Sequence, residues 1–403
     1  MNDSKRLKDH RQIGQELDLY SFHEYAPGSV FWHPRGWMIY KTLQEFLRQI
    51  LVPQGYEEIS TPVMVKSSLF KKSGHWDYYN ENMFNFDIEK ETYSLKPMNC
   101  PGACLIYSNK TRSYQDLPIR FMDFGILNRN ELSGVLGGLF RVRQFVIDDA
   151  HLYVRPDQIQ KEIHDLLLLV VNFYKVLGFT SEFYLSTKPD KAMGDAKLWK
   201  QAEKDLEKAL KDAKVKYGIK EKDGAFYGPK IDIQIKDSQD RDWQLATIQL
   251  DFQIPEKMKL EYIDKDGKPK RPVIVHRAIL GSIERFIGIL TEHYQGAFPL
   301  WLSPIQAIVL PIADRHLGLA QKIYQTLTNA GIRVKLDDRS EPLSAKIRDA
   351  TLQKVPYMGI IGDKETQNKE LVISIRTRES RDLGQIKVSQ FLLRLKEEID
   401  KKT

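Results

Sequence analysis

Two arginine-bearing segments and three scattered sulfur or imidazole side chains are the chemistry-bearing features of this chain. The first segment is Asn128-Arg129-Asn130-Glu131, followed by Arg141-Val142-Arg143. Guanidinium groups pair bidentately with phosphate, so arginines on a strand–turn–strand hairpin can clamp a triphosphate. On spacing alone, an exposed hairpin with solubilising charge is the plainer reading. The second segment is Gly281-Ser282-Ile283-Glu284-Arg285, opening an apolar helical stretch. A glycine there lets backbone approach a ligand closely, and Arg285 could meet a phosphate or stack on a purine. An ordinary Glu284–Arg285 surface pair is again the plainer reading of the fragment. Cys100, His151 and His276 lie far apart and match no closely spaced zinc pattern. Taken singly, each histidine reads as a surface or hydrogen-bonded core residue. Asp148-Asp149 precedes His151, and paired carboxylates in a strand are costly unless something binds them. The only cysteines, Cys100 and Cys104, are too few for a disulfide framework and read as small buried hydrophobes.

The elements that must position these groups follow from pattern. A length of 403 residues exceeds what one core usually supports, so two domains are expected. With 42% apolar and 29% charged residues, the composition is that of a soluble globular protein. The longest apolar run, Leu166 to Val171, is too short to span a bilayer. The polar start, Met1 to Lys5, lacks a signal-peptide core, so a cytoplasmic protein with no membrane partner is expected. A net charge of +7 is compatible with a polyanionic partner, although solvated surface explains most Lys and Arg residues. No internal repeat is present.

Residues from about Leu7 to Leu19 suggest an entry helix, and Trp37 to Val52 has helical spacing ended by Pro53 and Gly55. The stretch from Tyr56 to Val65 reads as a strand. Ile119 to Val154 reads as a long hairpin around a glycine-rich turn. Helices are expected from Pro156 to about Val176 and, peripherally, from Lys197 to Ala213. Strands dominate from Gly218 to Ile254, and helical periodicity returns from Arg277 to Tyr294. After Phe298 to Pro304, strands at 305–311, 334–336, 357–361 and 371–375 alternate with helices at 317–330, 343–354 and 389–399. The pattern predicts an antiparallel α+β domain over residues 1–300 and a smaller α/β domain with a mixed sheet over 301–403.

Taken together the segments carry a resemblance. Gly55 to Met64, containing Thr61-Pro62, resembles motif 1 of the class II aminoacyl-tRNA synthetases, the dimer-interface motif. Arg129-Asn130-Glu131 resembles motif 2, and Gly281 to Arg285 resembles motif 3. Longer strings resemble the threonyl-tRNA synthetase family. They are Gly74-His75-Trp76, Lys96-Pro97-Met98-Asn99-Cys100-Pro101-Gly102, Asp148-Asp149-Ala150-His151, Gly224 through Lys230, and Val275-His276 through Gly281. The resemblance runs from about Arg11 to the C-terminus.

It implies ATP-dependent activation of L-threonine and transfer to tRNA(Thr) by a homodimer. Cys100, His151 and His276 fall on the family's ligands for one Zn2+ per subunit. The metal would take threonine's amino group and hydroxyl, so valine is refused. Catalytic roles fall on Arg129, Arg285 and His75, the last as proton acceptor in transfer. Substrate contacts fall on Asp149, Tyr227, Met98 and Lys230. ATP, with Mg2+, would be held by Arg129, Glu131, Arg141, Gln244, Ser282 and Arg285. Anticodon contacts fall on Lys354, Glu365 and Arg376. Three positions depart from the family pattern: Asn128 replaces a usual histidine, Ile147 a usual glutamine, and Ala246 a frequent glycine. Ile147 cannot hydrogen-bond a substrate, so weakened activity is expected. Bacterial relatives carry N-terminal editing domains, so this chain is expected not to edit in cis and to activate serine measurably. The alternatives are a prolyl or seryl enzyme of the same subgroup, which the Cys-His-His trio disfavours, and a paralogue that binds RNA without charging it.

Overall fold

The computed structural model describes residues 7–403, so the Met1–Lys5 reading lies outside the described residues. These residues fall into two compact units, one made of 22–30 and 46–289, the other of 7–21, 31–45 and 290–403. None of the described helices is long and apolar enough to cross a membrane.

The larger unit is built on an eight-stranded sheet. Its order is Tyr217–Lys220, Ser181–Ser186, Lys230–Lys236, Asp242–Asp251, Val273–Ala278, Asp149–Val154, Ile119–Asp123, Tyr56–Glu58. The central pairings are antiparallel, as expected, and each edge closes with one parallel pair. Central strands are buried on both faces: Ala150 to Val154 and Val273 to Arg277 are buried at every position. They therefore read as apolar runs rather than alternation. Helix Ile159–Val176 covers this unit's core with Ile159, Ile163, Leu166, Leu167, Val170, Phe173 and Tyr174, an i, i+3, i+4 stripe. Helix Ala196–Asp212 is less peripheral than its charges suggest: Asp195 caps it, and Trp199, Ala202, Leu206, Ala209 and Leu210 are buried.

The long hairpin forms in two sections. Ile119–Asp123 pairs with Asp149–Val154, and beyond it Ile126–Asn128 pairs with Gln144–Val146 as a separate ribbon. Two expectations fail locally. Arg277 and Ala278 end a strand, and the helix begins only at Ile283, because Gly281 at φ 69° turns the chain between them. The Tyr56–Val65 stretch divides between two sheets, Tyr56–Glu58 in the large one and Met64–Lys66 in a three-stranded one. Pro62 lies between them and cannot donate to a ladder.

The C-terminal part of the other unit has a mixed five-stranded sheet in the order Val334–Leu336, Ala307–Pro311, Tyr357–Ile361, Val372–Thr377, Asp382–Lys387. The first three run parallel and the last two antiparallel. Helices Leu317–Asn329 and Val388–Asp400 pack Ala320, Ile323, Leu327, Phe391 and Leu395 into its core. Strand Asp382–Lys387 escapes the sequence reading, because as an edge strand it stays largely exposed and polar.

Candidate active site

Sheet register solves the spacing problem of the metal-capable residues. His151 and His276 are directly opposed on neighbouring antiparallel strands. Their rings sit 4.9 Å apart, edge to face. Cys100 opens helix Cys100–Ser108, so its side chain leaves the first turn toward the same point. One ligand atom from each residue lies within 4.8 Å of the others, and all three residues are buried. The set fits zinc on two further counts. His151 Nδ1 is buried with no hydrogen-bond partner among the described residues. His276 Nε2 lies 2.9 Å from Asp251 Oδ2, the carboxylate–histidine pairing that orients metal-ligating rings.

The paired carboxylates divide their work. Asp148 accepts from Ile279 N (2.9 Å), Leu280 N (2.8 Å) and Arg277 Nη1 (3.1 Å). It thereby pins the turn before Gly281, and burial pushes its carboxyl up to about 7. Asp149 instead lines a cavity of about 400 Å³ with Met98, Cys100, His151, Tyr227 and His276. Burial pushes it up to about 6, against the pull of His276 and a 3.3 Å hydrogen bond from Asn99 Nδ2.

A second cavity of about 620 Å³ adjoins the first through Arg129, Ile147, Leu245, Thr247 and Gly281, which line both. It collects Glu131, Arg141, Gln244, Ser282 and Arg285. Arg129 is held between the rings of Tyr79 and Phe145, at 5.6 and 5.0 Å, with no hydrogen-bond partner for Nε among the described residues. Arg285 lies 5.5 Å over Trp243, again with no partner for Nε among the described residues. Arg141 is bound to Glu131, Nη2 to Oε2 at 2.7 Å. Two guanidinium groups held by aromatic faces with a donor to spare suit an anionic guest.

Three predicted residues are placed otherwise. His75 is fully buried and lies outside the cavity lining. Its Nδ1 is 2.8 Å from Ser73 Oγ and its Nε2 3.2 Å from Cys100 Sγ, and burial pushes its pKa down to about 3. Lys230 is not among the lining residues either; its Nζ lies 2.9 Å from Asp232 Oδ2. Ala246 is fully buried away from both cavities, since Leu245, Thr247 and Gln249 take the facing positions of that strand. Of the departures, Ile147 does line both cavities. Sequence reasoning missed Tyr79, Thr247, Gln249 and Asp251; the strand's period of two would have flagged Thr247 and Gln249 once Leu245 was known to face in.

In the other unit, Glu365 and Arg376 line a cavity of about 690 Å³ along strands Val372–Thr377 and Asp382–Lys387. Glu365 is committed to Gly362 N, Ser374 Oγ and Gln385 Nε2. Lys354 lies elsewhere, at a small cleft with Gln353 and Ser303.

Comparison with known proteins matches residues 84–294 to the tRNA synthetase class II core domain (G, H, P, S and T) and residues 306–398 to the anticodon binding domain. Threonine–tRNA ligases of Caldanaerobacter subterraneus subsp. tengcongensis and Natranaerobius thermophilus are 50% and 48% identical over 399 and 398 residues. Each comparison covers 99% of this chain and 62% of the relative, so the chain spans about three fifths of their length. A crystal structure described as the RNA binding domain of threonyl-tRNA synthetase from Cryptosporidium parvum Iowa II superposes with a TM-score of 0.94. It is 41% identical, over 97% of this chain and 98% of that one. The chain belongs to the threonyl-tRNA synthetase family.

Proposed function

We propose that the chain activates L-threonine with ATP and transfers it to tRNA(Thr). The observation that carries this reading is the junction of a Cys-His-His pocket of amino-acid size with an arginine-lined cavity. Threonine would sit in the first and ATP, with Mg2+, in the second.

Zinc held by Cys100, His151 and His276 would supply a Lewis-acid position for threonine's amino group and hydroxyl. Asp149 accepts a hydrogen bond from that hydroxyl, and Tyr227, whose own hydroxyl is tied to Gln249, lies beside the amino group. Met98 packs on the substrate's apolar side. Arg129 lies where the two cavities meet, so it is placed to hold the reacting carboxylate and α-phosphate together. Charge that builds on the phosphoryl oxygens as pyrophosphate leaves is met by Arg129 and, further along, Arg285. Glu131, Arg141, Gln244 and Ser282 shape the nucleotide side, and Asp232 holds Gln244 through Nε2 at 2.7 Å. Lys230 reaches the site by leaving Asp232. The terminal ribose hydroxyl of the tRNA then attacks the acyl carbon of the adenylate; the ester bond forms as the acyl–phosphate bond breaks, AMP leaves, and the hydroxyl proton passes to solvent.

Residues beyond about 300 read the anticodon in this scheme, with Glu365 and Arg376 near the bases and Lys354 farther off. Homodimerisation through the Gly55–Met64 segment and a cytoplasmic location belong to the same reading. Ile147 favours a second one, RNA binding without charging, because its apolar side chain faces both cavities. Incubation with ATP, labelled threonine and tRNA(Thr) decides between them. Threonyl-tRNA is expected; tRNA bound but left uncharged would establish the second reading.

A further inference from the structure

We propose that the outer face of helix Ala196–Asp212 is a further RNA-binding surface, a row of lysines that holds the phosphate backbone of double-helical RNA. The helix contributes no residue to either cavity of the candidate active site, so the proposal is independent of the zinc and threonine readings.

The helix has two opposed faces. Trp199, Ala202, Leu206, Ala209 and Leu210 are buried. On the other side Lys197, Lys200, Lys204 and Lys208 are all exposed, at i+3 and i+4 spacing. That spacing stacks them on one stripe, about 5–6 Å apart along the axis. Lys211 extends the row at the next i+3 position, and Lys214 and Lys216 carry exposed charge past the helix end. The acids of the helix are turned to other partners. Glu203 Oε1 accepts from Lys188 N at 2.9 Å and Asp205 Oδ1 from Gln201 Nε2 at 3.1 Å. Glu207 takes Tyr217 Oη at 3.0 Å and Lys211 Nζ at 2.7 Å. Asp212 lies about 100° around the helix from Lys211. Among the described residues, Lys197, Lys200, Lys204 and Lys208 make no ion pair, and Lys211 is the member of the row that does.

Chemistry selects the partner. The row from Lys197 to Lys211 is about 21 Å long, the reach of several consecutive phosphates on one strand. Lysines offer point charges rather than planar forks, so they hold phosphates without reading bases. The lysine face carries no aromatic side chain on which unpaired bases could stack, which favours a duplex over a single strand. A membrane surface would need the apolar side chains of the helix for insertion, and Trp199 and Leu206 are spent in the core. RNA rather than DNA is the polymer that a chain with an anticodon binding domain meets.

The test measures binding of the full chain to two fluorescent RNAs, a tRNA(Thr) transcript and a stem-loop of unrelated sequence, by anisotropy between about 50 and 200 mM salt. One variant combines Lys197→Gln, Lys200→Gln, Lys204→Gln and Lys208→Gln; glutamine keeps the helix propensity and removes the charge. A control removes the same charge from scattered exposed lysines of the same unit, as Lys90→Gln, Lys110→Gln, Lys175→Gln and Lys268→Gln. In the row variant the slope of log affinity against log salt should flatten by about 3, since each lost phosphate contact removes roughly 0.7–0.9. Affinity should fall about tenfold or more for both RNAs alike, with the control near the parent. If the row variant fails to fold, Lys200→Gln with Lys204→Gln carries the test at half the change in slope. Equal losses in row variant and control would overturn the proposal, because net charge and not the row would then act. So would parental binding by the row variant, or a loss confined to single-stranded RNA or to phosphatidylserine vesicles measured alongside. A row variant that binds both RNAs as the parent does removes this surface and leaves the charging reading standing; a parent that binds neither RNA overturns both.

Discussion

Glu284 offers a stability prediction whose size follows from its surroundings. It sits in the first turn of helix Ile283–His293, with only 4% of its surface exposed. Its one partner from the facing ribbon is Val146 N, which donates to Oε2 at 3.1 Å. Burial, which two backbone hydrogen bonds only partly offset, pushes the carboxyl up from 4.5 to about 8. The sign is that of a raised acid. Below the unfolded value both states are protonated and nothing is lost. Between that value and the folded one, only the unfolded chain ionises, so stability falls by about 1.4 kcal/mol for each pH unit. The penalty saturates above the folded value, at roughly 4–5 kcal/mol. In Glu284→Gln the amide oxygen can keep the Val146 hydrogen bond while there is no proton to lose. The variant should therefore exceed the parent by about 1 kcal/mol near pH 5.5 and by about 4 kcal/mol near pH 8. Urea unfolding of both proteins at the two pH values, followed by tryptophan fluorescence, measures this. A difference that does not grow between the two pH values would refute the reasoning, because a neutral Glu284 could not then be the source.

Other perturbations act on the site itself. Asp251→Asn removes the carboxylate 2.9 Å from His276 Nε2 and should weaken metal binding by about 10–100-fold in competition with a chelating indicator. Asp232→Ala strips Gln244 of its acceptor at 2.7 Å; hydrogen bonds to a charge are worth about 1.5–3 kcal/mol, so KM for ATP should rise roughly tenfold or more. Ile147→Gln gives both cavities a hydrogen-bonding group and should lower KM for threonine by about 2–10-fold, the range of one net hydrogen bond; an unchanged or higher KM counts against a substrate-facing role.

Much of this molecule is legible in its sequence. The helices at 159–176 and 196–212 and the alternation after residue 305 declare themselves by period, because each buries one face. The resemblance groups Arg129, Arg141 and Arg285, and the three line one cavity. What stayed hidden is what depends on register. Nothing in a separation of 125 residues reveals that His151 opposes His276; the register of one antiparallel ladder decides it. The double carboxylate Asp148-Asp149 looks like a single feature in sequence. Asp148 lies just outside strand Asp149–Val154 and pins a turn, while Asp149, the strand's first residue, reaches a cavity. His75 lay within a recognisable string, Gly74-His75-Trp76, yet its burial behind Cys100 depends on the packing of Phe70 and Phe226, which no local pattern encodes.

The central claim, a zinc-gated threonine pocket joined to a nucleotide site, is tested most directly by amino-acid-dependent ATP–pyrophosphate exchange. Threonine, serine and valine would each be assayed with and without a zinc chelator. Exchange is predicted with threonine, abolished by the chelator and absent with valine. Serine should support weaker exchange, since one methyl group discriminates by only about 1–3 kcal/mol. Exchange that survives metal removal, or that proceeds with valine as readily as with threonine, would contradict the account.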